Sequence, residues 1–267
     1  MARITSLPRT PASDLYCGRS VRSAEEAAKL LGADLLFTSA GLGWVRADTP
    51  IPAYGMSVVE GGDNVLARIE GGAGARDWWT WLGAHSRFAT PLAEALAVSA
   101  GLVVVALPRA YLEMIEEELL ALPVDQRDHL RIVQRPGRLL ASLLPWTLLY
   151  DDRLGGGAGH AGTRSDFVAR AAFHFAAEIY PGCETADAAG HAAAVERALA
   201  HWQASPINSG ARRSDAEIRA IVTQIWDRAG GKTSQMLRIF RDELGVACEQ
   251  GRFARLVRDM RTEREAG

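Results

Sequence analysis

Asp151, Asp152, Arg153, Thr163, Arg164, Asp166 and Arg170 crowd around a glycine-rich run from Gly155 to Gly162. A carboxylate beside a guanidinium can position a water or read a base edge or sugar hydroxyl, and a glycine loop can close over the substrate. Asp151, Asp152 and Asp166 are therefore candidate catalytic carboxylates, with Arg153, Thr163 and Arg164 as candidate ligand contacts. A plainer reading competes: Ser165 caps a helix, Asp166 complements its dipole, and the other charges are solvated. The second constellation is Ser39-Ala40-Gly41-Leu42-Gly43, which follows an apolar strand and leads toward Tyr54. Small residues there allow a backbone to approach a ligand, so Ser39, Gly41, Gly43 and Tyr54 are candidate binding residues; the competing reading is a tight turn. The third is basic: Arg212, Arg213, Lys232, Arg238, Arg241, Arg252, Arg255 and Arg258 lie off the apolar stripes of the tail, where guanidinium groups facing solvent can contact phosphates.

Other patterns fail on inspection. Gly157-x-Gly159-x-x-Gly162 has the letters of a dinucleotide fingerprint, yet no acidic residue follows about 20 positions on at the end of a second strand, and a flexible loop is the expected reading. Gly231-Lys232-Thr233 resembles the end of a phosphate loop, but Trp226 stands where glycine is required. His85, His129, His160, His174, His191 and His201 show no i, i+4 pairing with each other or with cysteine, so no metal site is expected. No cofactor is implied. Trp78, Trp79 and Trp81 could form a stacking platform for bases, although on an apolar helix such residues more often belong to the core.

Positioning these groups requires a scaffold. Ser23 with Glu26 reads as a capping box, and the helix after it stops at Gly32. A strand follows at Leu35 to Thr38, with further strands expected at Val58-Val59 and Val65 to Ile69. Thr90-Pro91 starts a helix that runs through Val98, and Leu102 to Leu107 is a continuous apolar run of strand length. Pro108 opens a helix with Tyr111, Leu112, Ile115 and Leu119 inward and Glu113, Glu116 and Glu117 outward. Leu130 to Val133 is another buried strand, and Asp166 to Tyr180 and Ala188 to Trp202 are helical. Strand and helix alternate, which implies βαβ units and a mainly parallel sheet flanked by helices, an α/β fold. Ser205 to Gly210 reads as a linker between an α/β domain at 1–205 and a second domain at 211–267. There Ser214 and Glu217 form a capping box ahead of Ile218, Ile221, Val222, Ile225 and Trp226. Met236, Leu237, Phe240 and Leu244 stripe a second helix, and Phe253, Leu256, Val257 and Met260 a third. Three short amphipathic helices suggest a unit of the helix-turn-helix type.

Asp14-Leu15-Tyr16 with Gly18, the strand followed by Ser39-Ala40 and Gly41-Leu42, then Asp48, Ile51 and Tyr54, together resemble the YaaA-like peroxide-stress proteins and a related uncharacterised family over the first half of the chain. The resemblance implies a nucleic-acid-associated role in stress, DNA damage or phage defence, with duplex DNA as the expected partner. It implies a location for the site, around Ser39 to Tyr54, and no mechanism. An enzyme acting on a nucleobase or nucleotide, or a protein-interaction subunit of a multi-gene system, are the competing readings.

Composition sets outer limits. A formal net charge of -2 argues against a strongly basic nucleic-acid wrapper. The charge is uneven, with twelve Arg and Lys against nine Asp and Glu from Gly210 onward, and eighteen against twenty-three before it. Cys17, Cys183 and Cys248 are far apart and odd in number, so no disulfide framework is indicated and a reducing cytoplasm is expected. No apolar run approaches the roughly 20 residues that span a bilayer.

Overall fold

The computed structural model describes residues 7–59, 61, 63–97, 101–137, 139–204 and 211–265, apart from the side chains of residues 211, 212, 241, 242, 247 and 265. Val98 and the linker at 205–210 lie outside the described residues. The chain divides into two compact units, Met1–Ser205 and Pro206–Gly267.

The first unit opens with β1 (Arg9–Pro11), the short helix α1 (Ala12–Leu15) and α2 (Arg19–Leu31). Because α2 begins directly after Gly18, Ser23 and Glu26 sit inside the helix and form no capping box there. Gly32, at φ 61°, ends it in the left-handed conformation that glycine adopts without penalty. β2 (Leu36–Ser39) then turns back on β3 (Gly43–Arg46) in antiparallel register, Leu36 opposite Arg46 and Ser39 opposite Gly43. This corrects the expectation that the strand belongs to the parallel sheet. A three-residue loop closed by Gly43 at φ 89° is hairpin chemistry, and it returns the chain before any crossover helix can form. β4 (Pro50–Pro52) pairs antiparallel with β1. In place of strands at Val58-Val59 and Val65 to Ile69 there is one bridge, Ser57 to Asn64, and a 3-10 turn, Leu66–Arg68. Val58 and Val65 are single apolar anchors that pin a loop to the core.

α3 (Ala75–His85) and α4 (Leu92–Ala97) precede the regular part of the fold. β5 (Val103–Val105), α5 (Arg109–Ala121), the one-turn α6 (Val124–Arg127), β6 (Leu130–Gln134) and β7 (Thr147–Leu149) build a three-stranded parallel sheet in the order β5-β6-β7. Every residue of central β6 is buried, as a parallel strand covered on both faces requires. α7 (Phe167–His174) continues into a π turn, Phe175–Ile179, and α8 (Ala188–Leu199) follows, capped by the Asp187 carboxylate. On one face of the sheet Leu130 and Ile132 pack with Leu112, Ile115 and Leu119 of α5 and with Trp79 and Leu82 of α3. On the other, Val133 and Leu148 meet Phe167, Ala171 and Phe175 of α7 and its π turn and Val195 and Leu199 of α8. Glu116 departs from its expected outward position: it is buried, paired with Arg76 and bonded to the Ser142 hydroxyl.

The second unit consists of β8 (Ala211–Arg212), α9 (Asp215–Ile225), α10 (Thr233–Arg238) with a π turn at Ile239–Glu243, β9 (Val246–Ala247) parallel to β8, and α11 (Gln250–Glu265). The capping box is present: Ser214 Oγ accepts from the Glu217 N–H at 3.3 Å, and the Glu217 carboxylate accepts from the Ser214 N–H at 2.8 Å. Ile218, Val222, Met236, Phe240, Phe253 and Val257 make its core. Leu244 does not join them and is exposed, because the π turn advances the register just before it. Among the described residues no helix is long and apolar enough to cross a membrane.

Candidate functional site

A cavity of about 450 Å³ lies in the first unit, a volume in the range of small-molecule sites. Leu35 to Ala40 line one side and Leu102 to Pro108 another, without skipping alternate residues. Successive side chains of a strand point to opposite faces, so the cavity runs along the facing edges of β2 and β5, which among the described residues pair only with β3 and β6 respectively. Ala24, Ala27 and Ala28 of α2, Leu92 of α4 and Val168, Ala169 and Ala172 of α7 contribute to an otherwise apolar wall. The one carboxylate among the lining residues, Asp34, is exposed and bonded to Arg46 at 2.8 Å.

The polar end of this cavity is a chain of hydroxyls. Ser39 Oγ accepts from the N–H groups of Gly41 at 3.2 Å and Leu42 at 2.9 Å, which pins the hairpin turn. Both its lone pairs are thereby used, so its own proton goes to the Tyr54 hydroxyl beside it. Tyr54 in turn donates to Tyr16, whose proton is left to donate into the cavity. Burial pushes both phenols above their ordinary range, Tyr54 further because the neighbouring Tyr16 adds to the rise whereas the hydrogen bond from Tyr54 pulls Tyr16 part of the way back, so both are neutral donors at physiological pH and neither is a base. Close by, Thr38 Oγ1 is buried without a hydrogen-bond partner among the described residues. Gly41 and Gly43 serve this geometry through packing. A Cβ on Gly41 would lie 2.9 Å from Met56 Sδ and 3.1 Å from the Tyr54 ring, and one on Gly43 would lie 2.7 Å from Ala89 Cβ.

Ser39 and Tyr54 thus meet at the cavity, but the polar groups of the Asp151 to Asp166 segment do not join them. Only Ser165 from that segment lines the wall. Asp151 accepts from the Arg153 N–H at 2.9 Å and shares the Arg153 guanidinium with Glu196; burial alone would push its carboxyl up, yet the hydrogen bonds and charge of Arg153 hold it below the usual range. Asp152 pairs with Arg135. Asp166, and not Ser165, is the residue before α7, and it is buried with Arg170, accepting from Arg170 Nε at 2.7 Å and from the Thr163 N–H at 2.8 Å. Arg164 is exposed at the tip of the same loop. The three carboxylates therefore belong to separate ion pairs and do not converge as an acid–base set.

The glycine run packs closely at Gly157 and Gly162. A Cβ on Gly157 would lie 2.6 Å from the Trp202 ring, and one on Gly162 would lie 2.7 Å from Asp166 Oδ1 and Arg170 Cδ. Arg170 also donates to the carbonyls of His160 and of Thr163, the latter at 3.1 Å. That clamp buries His160 next to His174, with Glu178 beside both, a grouping that histidine and cysteine spacing alone does not encode. His174 and Glu178 are four residues apart, and this mixed imidazole–carboxylate spacing was the available signal.

Of the tryptophans, Trp79 is core and donates to Glu118 at 2.6 Å, while Trp78 donates to the Ala40 carbonyl at 2.7 Å and stacks on the exposed Trp81. In the tail, Arg252 is not a free outward cation: it pairs with Asp215, which Arg255 also approaches at 3.9 Å. Arg213 pairs with Glu217 at 3.0 Å. Lys232, Arg238 and Arg258 are exposed and make no ion pair among the described residues. The side chains of Arg212 and Arg241 lie outside the described ones. Compared with family models, curated proteins and solved structures, the chain matches none, so its functional reading rests on its own geometry.

Proposed function

We propose that the first unit is a receptor for a small, largely apolar molecule carrying one hydrogen-bond acceptor. The observation that carries this reading is the apolar cavity of about 450 Å³ that ends on Tyr16, Tyr54 and Ser39. A ligand's hydrocarbon body replaces water along the alanine and leucine walls, and its acceptor takes the Tyr16 proton. Binding is favoured over catalysis because the phenols are held neutral and the lining offers no buried carboxylate or imidazole to move a proton. Reading of a base edge by Tyr54 and Asp152 together loses its support, since Asp152 is engaged with Arg135 away from the lining.

The test is displacement of an environment-sensitive apolar dye by acetophenone and by ethylbenzene, which match in size and differ in the acceptor. Acetophenone should compete several-fold better against the native chain, and Tyr16→Phe should remove that preference while leaving ethylbenzene unaffected, as expected for one hydrogen bond of about 1 kcal/mol. Ala24→Phe, which fills the cavity from α2, should abolish both. Dye binding that survives Ala24→Phe unchanged refutes the reading.

A second reading, duplex nucleic acid bound by the tail as a helix-turn-helix-type module, is supported by exposed Lys232, Arg238 and Arg258, which no acidic neighbour neutralises among the described residues.

A further inference from the structure

We propose that His160, His174 and Glu178 form a binding site for a divalent first-row transition metal, zinc foremost, held by two imidazole Nε2 atoms and one carboxylate with a position left for water. The donor atoms lie within 4.8 Å of one another. Each oxygen of Glu178 faces a different imidazole: Oε1 is 2.5 Å from His160 Nε2 and Oε2 is 3.7 Å from His174 Nε2. Zinc bonds of about 2.0 Å at tetrahedral angles need donor separations of roughly 3.3 Å, so an ion would spread the Glu178–His160 contact and draw in the Glu178–His174 contact by less than about 1 Å each, and close the two imidazoles, now within 4.8 Å, by at most about 1.5 Å.

The decisive observation is His174. Its ring is fully buried, and Nε2 has no hydrogen-bond partner among the described residues although it points at a carboxylate. Buried polar atoms in native proteins almost always have a partner, and one that does not calls for an ion or water. The other ring nitrogen, Nδ1, lies 2.9 Å from the buried Tyr150 hydroxyl. When Nδ1 carries the proton and donates it to Tyr150, the Nε2 lone pair faces the ion, the arrangement that orients a metal-bound histidine.

The surroundings fit the same reading. Trp202 packs against both imidazoles, with centroids 5.5 Å from His160 and 5.1 Å from His174, which shields one side. The Glu178 side chain is about half exposed (48%), so the opposite side is open to solvent for entry and for the water ligand. Glu178 stands on the π turn Phe175–Ile179, and such turns occur disproportionately at functional sites. His160 is delivered by the glycine loop, which Arg170 and Trp202 hold in place. Two imidazoles and a carboxylate leave the site open, as in catalytic rather than structural zinc centres, and the same donor set suits ferrous iron.

The test uses the full chain, stripped with a chelator and desalted, and titrated with Zn²⁺ against a chromogenic competitor. One ion per chain is expected, and Co²⁺ in the same site should give the visible bands of a four-coordinate centre. Glu178→Gln and His160→Gln should each weaken Zn²⁺ binding beyond the roughly 10–100-fold that follows loss of an outer partner. Their circular dichroism should be unchanged, since Glu178 is exposed and both substitutions keep a hydrogen-bonding side chain. Anaerobic Fe²⁺ should show the same dependence on both residues. Absence of saturable binding, or equal affinity in the native chain and both variants, overturns the proposal.

Discussion

Arg170→Met is the sharpest probe of the first unit, because one guanidinium holds three partners. It pairs with Asp166 at 2.7 Å with both side chains nearly buried, and it donates to the carbonyls of His160 and Thr163. Removing one member of a buried pair costs about 3–5 kcal/mol, chiefly because the survivor stays charged without a partner. Arg19 at 3.5 Å and the Thr163 N–H still serve Asp166, and the exposed Thr163 can take up water, which places the expected cost near the lower end, about 3 kcal/mol. For a domain of this size that is a fall in Tm of roughly 6–12 °C. Urea denaturation followed by tryptophan fluorescence should show it in the transition of the first unit. Asp166→Asn with Arg170→Met should cost less than Arg170→Met alone, since the orphaned charge is gone. The pH dependence carries the same signature. Burial alone would raise the Asp166 carboxyl, but the hydrogen bond and charge of Arg170, with Thr163, hold it below the usual range. A depressed pKa contributes stability above the unfolded value near 4 and loses it as pH falls through the folded value, so the native chain should weaken there, and Arg170→Met should lose the Asp166 share of that acid limb while the share of Asp151 and Glu196, held by Arg153, remains. A loss under about 1 kcal/mol at neutral pH, or an unaltered acid limb, would refute this account.

Other expectations follow from the remaining contacts. Tyr16 and Tyr54 have raised folded pKa values, so their contribution to stability is present below the unfolded value near pH 10 and is lost as pH rises through the folded values. Ultraviolet titration of Tyr54→Phe should therefore reduce only the tyrosinate change that accompanies alkaline unfolding; a loss of signal at lower pH, while the chain is still folded, would contradict the hydroxyl chain. Replacing Lys232, Arg238 and Arg258 together by Gln should weaken duplex DNA binding and flatten its log–log salt slope by about 2–3 units, and a slope equal to that of the native chain would end the nucleic-acid reading of the tail. Ser214→Ala should cost the second unit about 1 kcal/mol in urea while the first unit's transition stays put.

Local chemistry was legible in the sequence wherever one short-range effect decided the outcome. Gly32 ends its helix, Ser214 and Glu217 cap theirs, and the apolar runs at Leu102 to Leu107 and Leu130 to Val133 contain paired parallel strands. The hairpin at Ser39 to Gly43 is not legible, because an apolar strand reads alike in parallel and antiparallel settings, and its loop residues also suit a ligand turn. β7 was hidden by Pro145-Trp146, which belong to a 3-10 turn ending one residue before the strand. Glu116 was placed outward by its helical spacing, but Arg76 and Ser142, far away in sequence, supply the partners that let it be buried. The site was partly visible. Ser39 and Tyr54 carry the hydroxyl chain together with Tyr16, whereas Asp151 and Asp152 drew notice for their density and are consumed by neighbouring arginines. His160 and His174 come together only through the packing of the glycine loop on Arg170 and Trp202, which spacing alone does not encode.

The two strand edges that face each other across the cavity also set how the first unit breathes. In a strand, successive N–H groups alternate between its two edges. Along Leu36–Ser39 and Val103–Val105, amides aimed at β3 or β6 are locked in a ladder, while those aimed into the cavity are not. Hydrogen exchange should therefore be slow and fast by turns along both strands, a residue-by-residue alternation that a continuous sheet would lack. Among the described residues no ladder joins the hairpin to the parallel sheet, so the two are coupled through the helices and side chains around the gap. Whatever occupies that gap sets how firmly the halves move together.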